Sequence, residues 1–168
     1  MTSLLVLGGA RSGKSRYAQA RAEALDGALI FVATAQALDD EMRDRIGRHR
    51  ADRGPRWRTI EEPLELAAAI TAWAALDRVL LVDCLTLWVS NLMLADRDIV
   101  AEAEALAEAV RRAAGPVILV ANEVGLGIVP DNALARRFRD AAGTVNQAMA
   151  GAVAEASFVA AGLAMRLK

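Results

Sequence analysis

An apolar stretch, Leu4-Leu5-Val6-Leu7, runs straight into Gly8-Gly9-Ala10-Arg11-Ser12-Gly13-Lys14-Ser15. The octapeptide fits G-x-x-x-x-G-K-[ST], with a strand-like run before it and a helix-like run after it, which is the context this motif requires. Its glycines let the backbone curl so that successive N–H groups face phosphate oxygens. The first turn of the following helix adds positive potential there. Lys14 can then reach the β- and γ-phosphates, and the Ser15 hydroxyl can ligate Mg²⁺. The plainer reading is a glycine-rich strand-to-helix turn that binds nothing. Against it, the chain has 18 arginines and two lysines, the other being Lys168. Lysine is too rare here to fall in the motif by abundance, so a nucleoside triphosphate site is expected.

With 168 residues the chain is expected to form one domain spanning 1–168. Hydrophobic residues are 55% of it, but 37 are alanine and aromatics are only 4%. Such a core, built from Leu, Val, Ile and Ala, suits helices packed on a sheet. Charged residues at 24% and a net charge of -1 exclude a disordered chain and a uniformly basic nucleic-acid binder. Apolar runs are strand-length, far short of the ~20 residues that span a bilayer. No basic leader precedes an apolar stretch. Cys84 is the single cysteine, so no intrachain disulfide and no all-cysteine metal site can form. A soluble, cytoplasmic protein with no membrane insertion and no nucleic-acid partner is expected.

Apolar runs at 4–7, 28–33, 79–82 and 117–121 read as core strands, with a shorter strand at 57–60. Helices are expected over about 14–25, 39–52, 64–76 (with Pro63 opening it), 99–113 and 133–156, the last with a break at Gly143. Residues 158–160 and 165–167 suggest a closing hairpin. Strands apolar on both faces imply a mostly parallel sheet covered on both faces by helices. Their alternation with helices gives the α/β class. In such sheets ligands bind beyond the strand C-terminal ends. The phosphate loop, Thr34, Asp83 and Asn122-Glu123 all fall there.

Asp83 closes Val79-Leu80-Leu81-Val82-Asp83, an acidic-tipped strand expected beside the loop. Its carboxylate can hold Mg²⁺ directly or through water, or it can serve as a cap or turn residue. Cys84 reads as a small buried filler. Between Arg43 and Arg58 lie seven arginines and two aspartates. Three readings compete for this segment: a solvated helix face, a nucleic-acid stripe with Trp57 as stacking platform, or a clamp for phosphates. His49 is the only histidine, and on a helix it shares a face with Met42, Ile46 and Arg53. The surrounding arginines disfavour imidazolium. A neutral imidazole among phosphate clamps is equipped for attack on phosphorus.

Taken together the chain resembles the bifunctional adenosylcobinamide kinase / adenosylcobinamide-phosphate guanylyltransferase family of cobalamin biosynthesis. The resemblance is carried by GGARSGKS at 8–15, ATAQALDDEM at 33–42, RIGRHRADR at 45–53, WRTIEEP at 57–63, LVDCLTLWVSNL at 81–92, NEVGLGIVP at 122–130 and FRDAAGTVNQ at 138–147. It implies a phosphate-loop NTPase fold of RecA-like type. It implies phosphorylation of adenosylcobinamide by ATP or GTP, then transfer of GMP from GTP to adenosylcobinamide phosphate through a guanylylated histidine. His49 matches that histidine. Ala33, Thr34, Ala35, Arg50, Ala51, Asp52, Arg53, Glu61 and Asp83 match positions used around the guanine nucleotide, with Glu62 the competing carboxylate beside Glu61. The family also implies a homotrimer.

Two other classes compete. A simple phosphate-loop kinase of a small metabolite predicts no covalent nucleotide on the enzyme. A RecA-like nucleic-acid-binding NTPase predicts steeply salt-dependent binding of single strands.

Overall fold

The computed structural model describes residues 2–36 and 54–168, and the expected helix at 39–52 lies outside them. Among the described residues seven strands form one sheet: β1 (Ser3–Gly8), β2 (Ala28–Ala33), β3 (Trp57–Glu61), β4 (Arg78–Asp83), β5 (Val117–Asn122), β6 (Glu155–Ala160) and β7 (Leu163–Arg166). Five helices accompany them among the described residues: α1 (Lys14–Glu23), α2 (Leu66–Trp73), α3 (Leu85–Leu94), α4 (Ile99–Arg112) and α5 (Ala133–Ala152). The sheet order is β3-β2-β4-β5-β1-β6-β7. All neighbours are parallel except β6 and β7, which form the expected hairpin.

Because side chains alternate across a strand, each core strand feeds two cores. Leu5, Leu7, Leu80, Val82, Val117 and Leu119 face the first, together with Ile70, Trp88, Leu106, Val145 and Met149 of α2 to α5. Leu4, Val6, Val79, Leu81, Ile118 and Val120 face the second, where Ala18 and Ala22 let α1 lie close to the sheet. Burial on both faces is what the continuous apolar runs require.

Two expectations need correction, and one helix carries no sequence signal. Helix α5 runs unbroken through Gly143. Burial of Ala142, Val145, Asn146 and Met149, on a helix that packs against α3 and α4, outweighs the roughly 1 kcal/mol that a mid-helix glycine costs. Pro63 does not open α2, because the Glu62 carboxylate accepts from Leu64 N and Glu65 N and turns the chain first, so the helix starts at Leu66. Helix α3 has no counterpart among the sequence-based elements. Leu85, Trp88, Val89 and Leu92 are buried on nearly every side of it, so its sequence carries no amphipathic period to read.

Candidate active site

Gly8 ends β1 and stands in register with Asn122 of β5 and Val159 of β6. A Cβ there would lie 2.5 Å from the Val159 carbonyl oxygen and 2.6 Å from Ser12 Oγ, which leaves room for glycine alone. Beyond it Arg11 and Gly13 adopt φ of 55° and 93°. Left-handed residues alternating with ordinary ones turn successive N–H groups into one concavity, the shape that receives an anion. Ser12 N and Lys14 Nζ both donate to Gly9 O at 3.3 Å. The neighbouring strand exits brace this curl. Glu123 N donates to Gly8 O at 3.1 Å, and Gly162 N donates to Ser12 O at 2.8 Å from the β6–β7 turn. Among the described residues the buried side-chain atoms without a hydrogen-bond partner are Ser12 Oγ and Asn122 Oδ1, and both belong to these exits.

The other sequence-derived positions line the same sheet edge. Ala33 pairs with Glu61 on one side and Asp83 on the other, so the three occupy one rung. Asp83 is not on the strand next to the loop, because β5 lies between β4 and β1. Two strand spacings, about 10 Å, therefore separate its strand from Gly8, and four, about 19 Å, separate β3 and Glu61 from it. Glu61 is exposed at its strand end, whereas Glu62 is committed to its turn. Ser15 sits in the first turn of α1. No three His, Cys, Asp or Glu side chains gather as a metal cage among the described residues. Mg²⁺ needs no such cage: it takes one or two protein donors plus phosphates and water, and a hydroxyl with a carboxylate fits that demand. His49, Arg50, Ala51, Asp52 and Arg53 lie outside the described residues.

Composition and periodicity missed how the strand tips are locked. Thr34 is fully buried; its hydroxyl donates to Cys84 O at 2.8 Å and accepts from Cys84 N at 2.9 Å. Asn91 Nδ2 donates to Thr34 O at 2.8 Å and Pro63 O at 3.0 Å. Thr86 Oγ1 accepts from Asn122 N at 2.7 Å, and Asn146 Nδ2 donates to Asn122 O at 3.3 Å. These buried contacts tie the tips of β2, β4 and β5 to α3 and α5. The available signal was the presence of Thr86 and Asn91 inside an otherwise apolar run, since buried polar groups persist only when hydrogen-bonded. Thr34 thus spends its side chain on the scaffold, and places Ala35 at the edge.

Cys84 is buried, and burial first, then the adjacent Asp83, pushes its thiol up to about 11. A protonated thiol of that kind is no nucleophile; its sulfur accepts from Leu87 N at the start of α3. Trp57 is also buried. Its Nε1 donates to Glu23 Oε1 at 2.9 Å and its ring meets Phe31 edge-on at 6.3 Å. It offers no stacking face to a nucleic acid, which removes the aromatic part of the support for that alternative; the arginines at 43–53 lie outside the described residues.

A glycine cradle at the first strand exit, with an additional strand between it and the acidic strand tip, defines a phosphate-loop nucleotide-binding protein of RecA-like type. The model of the family "Cobinamide kinase / cobinamide phosphate guanyltransferase" matches residues 4–167. The chain belongs to this family, and is a kinase and guanylyltransferase. It is 51% identical over 166 residues to the bifunctional adenosylcobalamin biosynthesis protein CobP of Pseudomonas aeruginosa, covering 98% of this chain and 96% of that one. Bifunctional adenosylcobalamin biosynthesis proteins CobU of Salmonella typhimurium and Escherichia coli are 44% and 43% identical, each over 98% of this chain and 99% of theirs. No helix among the described residues is long and apolar enough to cross a membrane.

Proposed function

We propose that both reactions, the phosphorylation of adenosylcobinamide by ATP or GTP and the transfer of GMP from GTP to the resulting phosphate, draw on the cradle of residues 8–15. The observation that carries the reading is this cradle, braced from β5 and β6, at the centre of an edge that also holds Asp83, Ala33 and Glu61. In the kinase step the loop N–H groups and Lys14 hold the triphosphate and offset charge on the transferring phosphoryl group. Ser15 and Asp83 would hold Mg²⁺, which supplies charge neutralisation at the phosphates when bound.

In the second step His49 attacks the α-phosphorus of GTP. A nitrogen–phosphorus bond forms, the α–β phosphoanhydride breaks, and pyrophosphate leaves. A phosphate oxygen of adenosylcobinamide phosphate then displaces the histidine, giving adenosylcobinamide-GDP. The covalent intermediate divides one difficult transfer into two easier ones. Arg48, Arg50 and Arg53 neutralise phosphate charge. Ala33 to Ala35, Arg50 to Arg53, Glu61 and Asp83 surround the guanine nucleotide, with Thr34 acting through placement. Homotrimeric assembly and a cytoplasmic location belong to the same reading.

Incubation with adenosylcobinamide, GTP and Mg²⁺, followed by mass analysis of small molecules and intact protein, tests it. The expected results are a GDP-bearing corrinoid and a GMP-sized adduct on the protein that is absent from His49→Ala. A covalently labelled His49→Ala protein would overturn the nucleophile assignment.

A further inference from the structure

The segment that follows β5 starts at the phosphate loop. Glu123 N is hydrogen-bonded to Gly8 O. From there residues 123–132 leave the sheet without regular structure and return at the Asn132 cap of α5. Both feet are pinned. Gly125 N donates to Glu123 Oε1 at 2.6 Å. Arg136 donates to Pro130 O at 2.9 Å and Asp131 O at 2.8 Å, and Ala135 N donates to Asn132 Oδ1 at 2.8 Å.

Between the feet the sequence Val124-Gly125-Leu126-Gly127-Ile128-Val129 carries no charge. Leu126 is 81% exposed, Ile128 98% and Val129 63%, with Leu134 at 65% beside them at the start of α5. Isolated exposed leucines are ordinary, but a run of large apolar side chains held out on a pinned loop marks a binding surface. The phosphates of a nucleotide do not need it, since the cradle meets them with backbone N–H groups.

We infer that this apolar tip is the platform for the corrinoid acceptor, with Leu126, Ile128 and Val129 packing on the macrocycle while its hydroxyl or phosphate reaches the cradle. The inference rests on the function proposed above. The acceptor of that reaction is a methyl-studded macrocycle fringed by neutral amides. An uncharged apolar surface complements it, and this one is continuous with the place where its reacting group must arrive. Ten residues anchored at both ends let the tip reach at most about 17 Å from its feet, so a platform there stays near the reacting centre.

The test is Leu126→Ser/Ile128→Ser, with Leu76→Ser as control; Leu76 is 85% exposed and precedes β4, at the opposite edge of the sheet. The expected result is a KM for adenosylcobinamide raised at least tenfold, with kcat within twofold. The KM for GTP and the rate of covalent labelling by GTP alone stay unchanged, as do the melting temperature and the oligomeric mass. The control keeps all of these at wild-type values. An unchanged KM for adenosylcobinamide overturns the inference. A changed oligomeric mass with a parallel loss of labelling also overturns it, and assigns the tip to contact with a second copy of the chain. If the wild-type enzyme itself fails to phosphorylate adenosylcobinamide, the function proposed above fails, which is a separate outcome.

Discussion

Two loops leave neighbouring parallel strands at the same sheet edge, and they are built on opposite plans. Residues 9–13 after β1 expose backbone; residues 123–132 after β5 expose side chains. The first curls through two left-handed residues, and each neighbouring strand exit gives it a hydrogen bond. The second is pinned only at its feet and lifts Leu126 and Ile128 clear of the protein. The contrast fits the two unlike ligands proposed for this edge. A small, highly charged anion is held by fixed N–H dipoles at short range, so glycine and curvature matter most. A large, neutral acceptor is held by apolar area, where side-chain volume matters and backbone shape is secondary.

The largest expected effect in the first loop is that of Lys14→Ala. Turnover in both reactions should fall about 10³-fold, the scale for removing a preorganised charge at a reacting phosphoryl group, with the melting temperature nearly unchanged. Steady-state kinetics beside a thermal melt measure both, and near-normal turnover would contradict the triphosphate site. Gly8→Ala should act through the backbone instead. Its Cβ collides with the Val159 carbonyl and Ser12 Oγ, so GTP affinity should drop more than 100-fold and stability with it. Equilibrium titration with GTP reads this; wild-type affinity would mean that the curl is not what binds phosphate.

Thr34→Val asks whether the strand tips need their lock. It removes an acceptor for Cys84 N and a donor to Cys84 O, at a cost of about 1–3 kcal/mol for buried groups left unsatisfied. Chemical denaturation measures it. Gly162→Ala is milder. The added Cβ meets nothing closer than Arg16 Nη2 at 3.7 Å, but φ is +80°. Strain of about 1–2 kcal/mol in the turn should raise the KM for GTP two- to threefold without touching the KM for adenosylcobinamide, a split that separates the two loops.

The smallest effect is electrostatic. Arg21 binds Glu155 through two hydrogen bonds of 2.8 and 2.9 Å, tying α1 to β6. The Arg21 hydrogen bond, opposed by partial burial, holds the Glu155 carboxyl below its usual range. The unfolded chain therefore takes up that proton at higher pH than the folded one. The stabilisation is complete above the ordinary carboxylate range and is lost as pH falls through the lower folded value. It amounts to no more than about 1 kcal/mol for a partly exposed pair. Melting curves below about pH 5 should show it, and Glu155→Gln should flatten that part of the profile.

Much of the scaffold was legible because it follows from short-range chemistry. Apolar runs marked β1, β2, β4 and β5, and the motif marked the cradle residue by residue. Local pattern failed where packing overruled it, at Gly143, or where burial on all sides erased the period, at α3. Of the candidate site, the backbone curl at 8–15 was legible. Thr86, Asn91 and Asn146 were not, because what they do is set by partners 24 to 57 residues away in the chain.

What residues 4–15 dictate without help from the rest of the chain is steric: an apolar strand, glycines free to curl, and a lysine at the helix start. Those are properties of dihedral angles and side-chain size, and they hold wherever the segment is placed. Three-dimensional assembly alone put β5 between the cradle and Asp83, set Gly162 against Ser12, and started the uncharged segment after Glu123 beside the cradle. Each is a pairing of segments far apart along the chain, chosen by strand order and packing, and no local pattern of residues encodes such a choice.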